Sequence, residues 1–166
     1  ATYAPTVYGT LPYGSITVGP GTYEVDGGAL AIDKNIALMS VEGPERTIVE
    51  VRETAPGFVL SVDAGSTVSG FTFRGGTSDD GFAGGLRIYS GTVTNCVVAN
   101  CEATASGSTG GGVYMYGTGS FLGSTVSNCT CKGNGGGVFM TGGTVRGCRL
   151  LDNTATGTAG GAYVGG

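Results

Sequence analysis

A Gly-Gly pair followed by alternating apolar residues returns four times in the second half of this chain. The segments are Gly84-Gly85-Leu86-Arg87-Ile88, Gly111-Gly112-Val113-Tyr114-Met115, Gly136-Gly137-Val138-Phe139-Met140 and Gly160-Gly161-Ala162-Tyr163-Val164. Two earlier stretches, Leu30-Ala31-Ile32 and Phe58-Val59-Leu60, fit the same phase without the glycines. Taking the last inward residue of each gives Ile32, Leu60, Ile88, Met115, Met140 and Val164, in steps of 28, 28, 27, 25 and 24 residues. A near-constant step of this size marks a unit that cannot bury its apolar face alone and does so by stacking on copies of itself.

A second series runs between these segments: Val68-x-x-Phe71-x-Phe73, Val93-x-x-Cys96-x-Val98, Val126-x-x-Cys129-x-Cys131 and Val145-x-x-Cys148-x-Leu150. Each repeat thus holds two or three short strands of period 2. Gly and Asn stand at the corners, where positive φ costs them little; Asn134 and Asn153 are read as one such corner position. Tyr116 to Ser124 reads as an insertion in one repeat. The composition agrees. Of 166 residues, 35 are Gly and only 12% are charged, while 40% are hydrophobic. That is the reverse of a disordered chain, and no G-X-Y period points to collagen. Stacked parallel coils place like on like, whereas a sandwich needs no recurrence. The expectation is an all-β parallel solenoid of about five coils of 24–28 residues, each rising ~4.8 Å. It forms one domain over 1–166. Residues 1–29 supply an N-terminal segment and the first strands, 30–65 a first coil region, and 66–166 the regular Gly-rich coils.

The start, Val18-Gly19-Pro20-Gly21-Thr22-Tyr23-Glu24, with Lys34-Asn35-Ile36 and Gly43-Pro44-Glu45-Arg46-Thr47-Ile48, resembles the first coils of the right-handed parallel β-helix superfamily that includes pectin-lyase-like proteins. The later coils resemble the repeats of polymorphic outer-membrane proteins, with Leu150-Leu151-Asp152-Asn153 and Cys131-Lys132-Gly133-Asn134 as their second element. The resemblance runs from about Ile16 to Val164 and implies a right-handed coil. It implies no single function, because this fold hosts lyases, hydrolases, esterases, adhesins and inert surface proteins.

Chemistry is thin. The chain has no His, which removes imidazole acid–base work and Ser-His-Asp triads. Pectin-degrading members of the superfamily use paired aspartates, or calcium with a basic residue. The resemblance therefore singles out Asp79-Asp80 as a calcium or galacturonan site, against the simpler reading of a solvated turn, which is favoured. Asp26, Asp33, Asp63 and Asp152 are scattered and do not pair across a sugar. Cys96, Cys129 and Cys148 fall in one column below Phe71, with Cys101 and Cys131 apart. Their spacings match no zinc site, and a stack of buried thiols acting as small hydrophobes is favoured over a disulfide set. No cofactor is implied.

The outward positions carry more information. If Leu86 and Ile88 face inward, Arg87 faces water, and the same phase sends Tyr114, Phe139 and Tyr163 outward in one column. Tyr89 and Tyr116 fall in the next column. Five aromatics on one face would present roughly 400–600 Å², the size of the largest patch on a typical monomer. Such a face suits the apolar faces of a glycan or another protein; a covering segment with Tyr3, Tyr8 and Tyr13 is the competing expectation. Thr67/Ser69, Thr92/Thr94, Thr125/Ser127 and Thr144/Arg146 flank inward residues on a second face, and ordinary wet strands explain them better than an ice lattice.

A net charge of −4 without a basic run excludes nucleic acid as a partner, and no apolar run reaches the ~20 residues of a membrane span. The chain stops just after a strand opens a new coil, without a capping element, which suggests self-association through that end or a longer solenoid. The expected function is a non-enzymatic extracellular or cell-surface module for adhesion, glycan contact or self-assembly. Its candidate surface is Arg87, Tyr89, Tyr114, Tyr116, Phe139 and Tyr163. The alternative is a polysaccharide lyase or hydrolase-type domain, or a fragment of one.

Overall fold

Alternation of apolar and small polar residues, broken by Gly and Asn every few positions, yields strands of two to five residues and no helix among the described residues. The computed structural model describes residues 6–7, 14–28 and 30–165; Tyr3, Tyr8 and Tyr13 lie outside them. Every pairing between the described strands is parallel except one, where Thr6–Val7 runs antiparallel to Ser15–Val18.

Four sheets run along the solenoid. The first stacks Ser15–Val18, Ala37–Ser40, Thr67–Ser69, Thr92–Thr94, Ser120–Leu122 and Thr144–Arg146. The second stacks Gly21–Val25, Thr47–Val51, Thr72–Arg74, Val97–Ala99, Thr125–Ser127 and Arg149–Leu151. A short third sheet holds Thr77–Ser78, Glu102–Ala103, Thr130–Cys131 and Thr154–Ala155. The fourth stacks Ala31–Ile32, Leu60–Val62, Leu86–Ile88, Val113–Met115, Val138–Met140 and Ala162–Val164. The coils therefore number about six, one more than the repeat count suggests.

The interior is apolar. Phe71, Phe73, Phe121, Leu60, Leu86, Ile88 and Met115 are fully buried in one continuous core, and each such side chain contributes roughly 1.5–3 kcal/mol by leaving water. Two corners recur between sheets. Gly70, Asn95, Gly123 and Gly147 turn the chain from the first sheet to the second, with φ of 81°, 49°, 50° and 64°. Gly75, Asn100, Asn128 and Asp152 turn it from the second to the third, with φ of 76°, 54°, 52° and 53°. Both columns hold residues that tolerate the left-handed region.

Register corrects several sequence expectations. Ile32 and Ile88 both align with Val62, and Leu60 aligns with Leu86 instead. The true steps are therefore 30, 26, 27, 25 and 24 residues. Val93 aligns with Phe121, not Val126, and Val126 aligns with Val98 and Leu150 in the second sheet. Residues 116–124 are consequently no insertion, since Ser120–Leu122 is an in-register strand of the first sheet. Cys129 leaves the column of Cys96 and Cys148, whose intervening residue is Ser124; the Ser124 hydroxyl accepts from the Cys96 amide. Asn134 and Asn153 occupy different corners. The outward first-sheet series is Thr67/Ser69, Thr92/Thr94, Ser120/Leu122 and Thr144/Arg146, so Leu122 breaks the hydroxyl array.

Candidate functional site

The Gly-Gly pairs explain why the fourth sheet is so regular. A Cβ on Gly111 would stand 2.3 Å from the Gly136 carbonyl oxygen, and one on Gly112 would stand 2.5 Å from Val126 Cγ1. Only glycine lets successive coils close at this corner. The strand that follows can then alternate strictly. Its inner residues fill the core, and its middle residue projects outward.

Pairing brings Ser61, Arg87, Tyr114, Phe139 and Tyr163 into one outward column. Tyr114 and Phe139 lie 5.9 Å apart at 10° between planes, and Phe139 and Tyr163 lie 5.0 Å apart at 7°. The rings stack on one another along the solenoid axis. Their faces are mutually covered, and the column offers mostly ring edges to solvent, not the open faces that the alternation alone suggests. Tyr89 and Tyr116 flank it; Tyr89 is half-buried, while Tyr116 is 60% exposed. Phe82, which no repeat position announces, packs on Tyr114 at 4.8 Å and 60° and remains 41% exposed. Burial pushes the Tyr114 hydroxyl above the usual phenol range, and the neighbouring Tyr89 and Tyr116 hydroxyls add to the shift.

Arg87 does not face water as expected. It projects out of the coil yet is only 7% exposed. Its guanidinium lies 4.0 Å from the Phe58 ring centroid and 5.7 Å from that of Phe82. Nη1 donates to Asp80 Oδ2 at 2.8 Å and Nη2 to Asp80 Oδ1 at 2.7 Å. Nη2 also donates to the Ser78 hydroxyl at 2.9 Å, and Nε to the Ala83 carbonyl at 3.3 Å. This is a planar fork answered by a carboxylate, the geometry arginine is built for.

The Asp79-Asp80 pair is thereby split. Asp80 accepts from Arg87, Ser78 Oγ and the Phe82 amide. Partial burial raises its pKa, but those hydrogen bonds outweigh burial and hold the carboxyl below its ordinary value. Asp79 sits apart, exposed on the rim of a shallow hollow with Pro56, Thr77 and Thr104. Among the described residues, no group of three or more Cys, Asp or Glu side chains is gathered as a metal site would require, and no helix is long and apolar enough to cross a membrane.

Six parallel rungs around an apolar core, with glycine and asparagine corners, define a right-handed β-helix. The chain belongs to the right handed beta helix region family, whose model matches residues 46–166. No curated protein and no solved structure matches it.

Proposed function

We propose that this β-helix is a non-catalytic binding module of a secreted or cell-surface protein, and that its aromatic face contacts a neutral glycan. The observation that carries the reading is the pair of exposed rings, Tyr116 and Phe82, beside a continuous aromatic column. Both rings stay open enough to meet the C–H surface of a sugar, while the hydroxyls of Tyr89, Tyr114 and Tyr116 supply donors and acceptors nearby. Rigid Tyr and Phe rings give contact area at low entropic cost. The cation at the foot of the column, Arg87, is neutralised by Asp80, which argues against an acidic polysaccharide. The carbohydrate-active enzyme alternative rests on fold analogy alone, since Asp80 is engaged by Arg87 and Asp79 shares its hollow with Pro56, Thr77 and Thr104.

A panel of neutral and acidic polysaccharides, run by affinity electrophoresis and calorimetry, tests this reading. Retention by a neutral glycan, weakened at least tenfold (about 1.4 kcal/mol) in both Tyr116→Ala and Phe82→Ala with unchanged circular dichroism, is the expected result. Wild-type protein that no neutral polysaccharide retains, or that binds only polygalacturonate, overturns it.

A further inference from the structure

Five cysteines in six stacked coils invite random pairing, but the register leaves one choice. Cys96 stacks between Phe71 and Ser124, and Cys148 lies beyond Ser124. Cys131 is paired with Ala103 on one side and Ala155 on the other. Only Cys101 and Cys129 lie on adjacent coils at the same position. Asn100 and Asn128 precede them at the same left-handed corner, and the Thr130 amide donates to the Cys101 carbonyl at 2.9 Å. All five side chains are thiols in the structure. The Cys101 and Cys129 thiols are both buried, and each donates to the carbonyl two residues before it, Cys101 to Ala99 and Cys129 to Ser127, both at 3.3 Å.

We infer that Cys101 and Cys129 form a reversible redox site, closing to a disulfide that staples one coil to the next when the chain meets a disulfide oxidant. A coil rise of ~4.8 Å lies within the Cα separation that a disulfide spans, about 4.4–6.8 Å. The parallel Cβ vectors must still converge slightly, and both residues lie just past a tight corner, outside the regular strand. A bond closed against that small strain is the reducible kind. Both sulfurs are buried in the closed coil, so exchange takes place as the chain folds or when this corner opens. One of the two, as thiolate, attacks glutathione disulfide, releasing one glutathione thiolate and leaving a mixed disulfide. The other, losing its proton, then attacks the first cysteine's sulfur and releases the second glutathione. Two protein thiols become one disulfide, and one glutathione disulfide becomes two thiols. Cys96 stays out of this chemistry, because burial pushes its thiol up to about 11 and no second sulfur is in reach.

The full-length protein, folded and also refolded in a glutathione thiol–disulfide buffer, tests the site. Thiol titration under denaturing conditions is expected to fall from five to three, with loss of two hydrogens by mass. Peptide mapping is expected to join the peptide carrying Cys101 to that carrying Cys129. The change should persist in Cys96→Ser and Cys131→Ser, disappear in Cys101→Ser and Cys129→Ser, and reverse with dithiothreitol, with the oxidised form unfolding at higher denaturant. Five titratable thiols after oxidation in both arms, or a bond mapped to any other pair, overturns the inference. The wild-type map decides this even if a serine variant fails to fold.

Discussion

Arg87 shows how far an outward position can be from a wet one. Strand alternation places it outside the core, correctly, but says nothing about what lies over it. Phe58, Ser78, Asp80 and Phe82 reach it from beyond its strand, and of these only Phe58 falls in a recurring segment. Only the Asp-Asp-Gly-Phe turn hints at their presence in the sequence, so the aromatic column was legible while its buried arginine foot was not. The energetics are asymmetric. Asp80→Asn leaves a buried guanidinium without its counter-charge and is expected to cost roughly 1–3 kcal/mol, the lower end reflecting solvent screening of the half-exposed carboxylate. Arg87→Met keeps contact with Phe58, frees Asp80 to be hydrated, and should cost less. Urea unfolding of the two variants checks the order, and a larger loss in Arg87→Met would show that the charge pair is not what holds this turn. The pH dependence has a fixed sign. Asp80 has a depressed folded pKa, so its contribution is present above the unfolded value of about 3.9 and is lost as pH falls below that toward the folded one.

At the scale of the element, corners decide more than strands. The corner before the fourth sheet places Gly110, Gly135 and Ala159 in one column, with φ of 69°, 72° and 60°. A Cβ on Gly135 would stand 2.3 Å from the Val138 carbonyl oxygen. Ala159 holds the same strained conformation with its methyl group in place. Ala159→Gly is therefore expected to stabilise the protein by about 1 kcal/mol. Gly135→Ala should destabilise it by roughly 1–3 kcal/mol through crowding, with left-handed strain in addition. Thermal melts of both variants measure this, and a loss of stability in Ala159→Gly would contradict the strain argument. Corners also explain where reading the sequence slipped. The first-to-second and second-to-third corners are near copies: Val68-Ser69-Gly70-Phe71 and Val126-Ser127-Asn128-Cys129 each put an inward residue, a left-handed residue and another inward residue at the same spacing. The pattern alone cannot say which corner it belongs to, so Cys129 entered the wrong column. Leu60 and Val62 failed for a related reason, because a shift of two residues keeps every side chain on its own face.

For the whole molecule, the repeat step was legible because a stacked coil feels only its neighbours, and selection for one residue type acts down each column. Phe121 over Val93 and Ser124 over Cys96 show how loosely volume is held within that rule, which is why Val126 reads in the sequence as the partner of Val93. One consequence belongs to the solenoid and to no single residue. Removing one complete coil, residues 116–140, joins Met115 to Thr141 and lets each later strand find an equivalent partner. Val145 then lies over Val93, Leu150 over Val98, and Ala155 over Ala103, with Asn153 beside Cys101. Core identity, corner glycines and sheet register all survive. Removing half as much, residues 129–140, joins the second-to-third corner directly to the turn leading into the first sheet, and no later side chain regains its column. The shorter deletion is therefore expected to be the more damaging. The full-coil variant should keep a β-sheet circular dichroism spectrum and a cooperative urea transition with a smaller m-value, in line with the surface it no longer buries. The half-coil variant should lose both. Equal disruption by the two deletions would mean that the coils are not interchangeable units, and that long-range contacts beyond nearest neighbours hold this β-helix together.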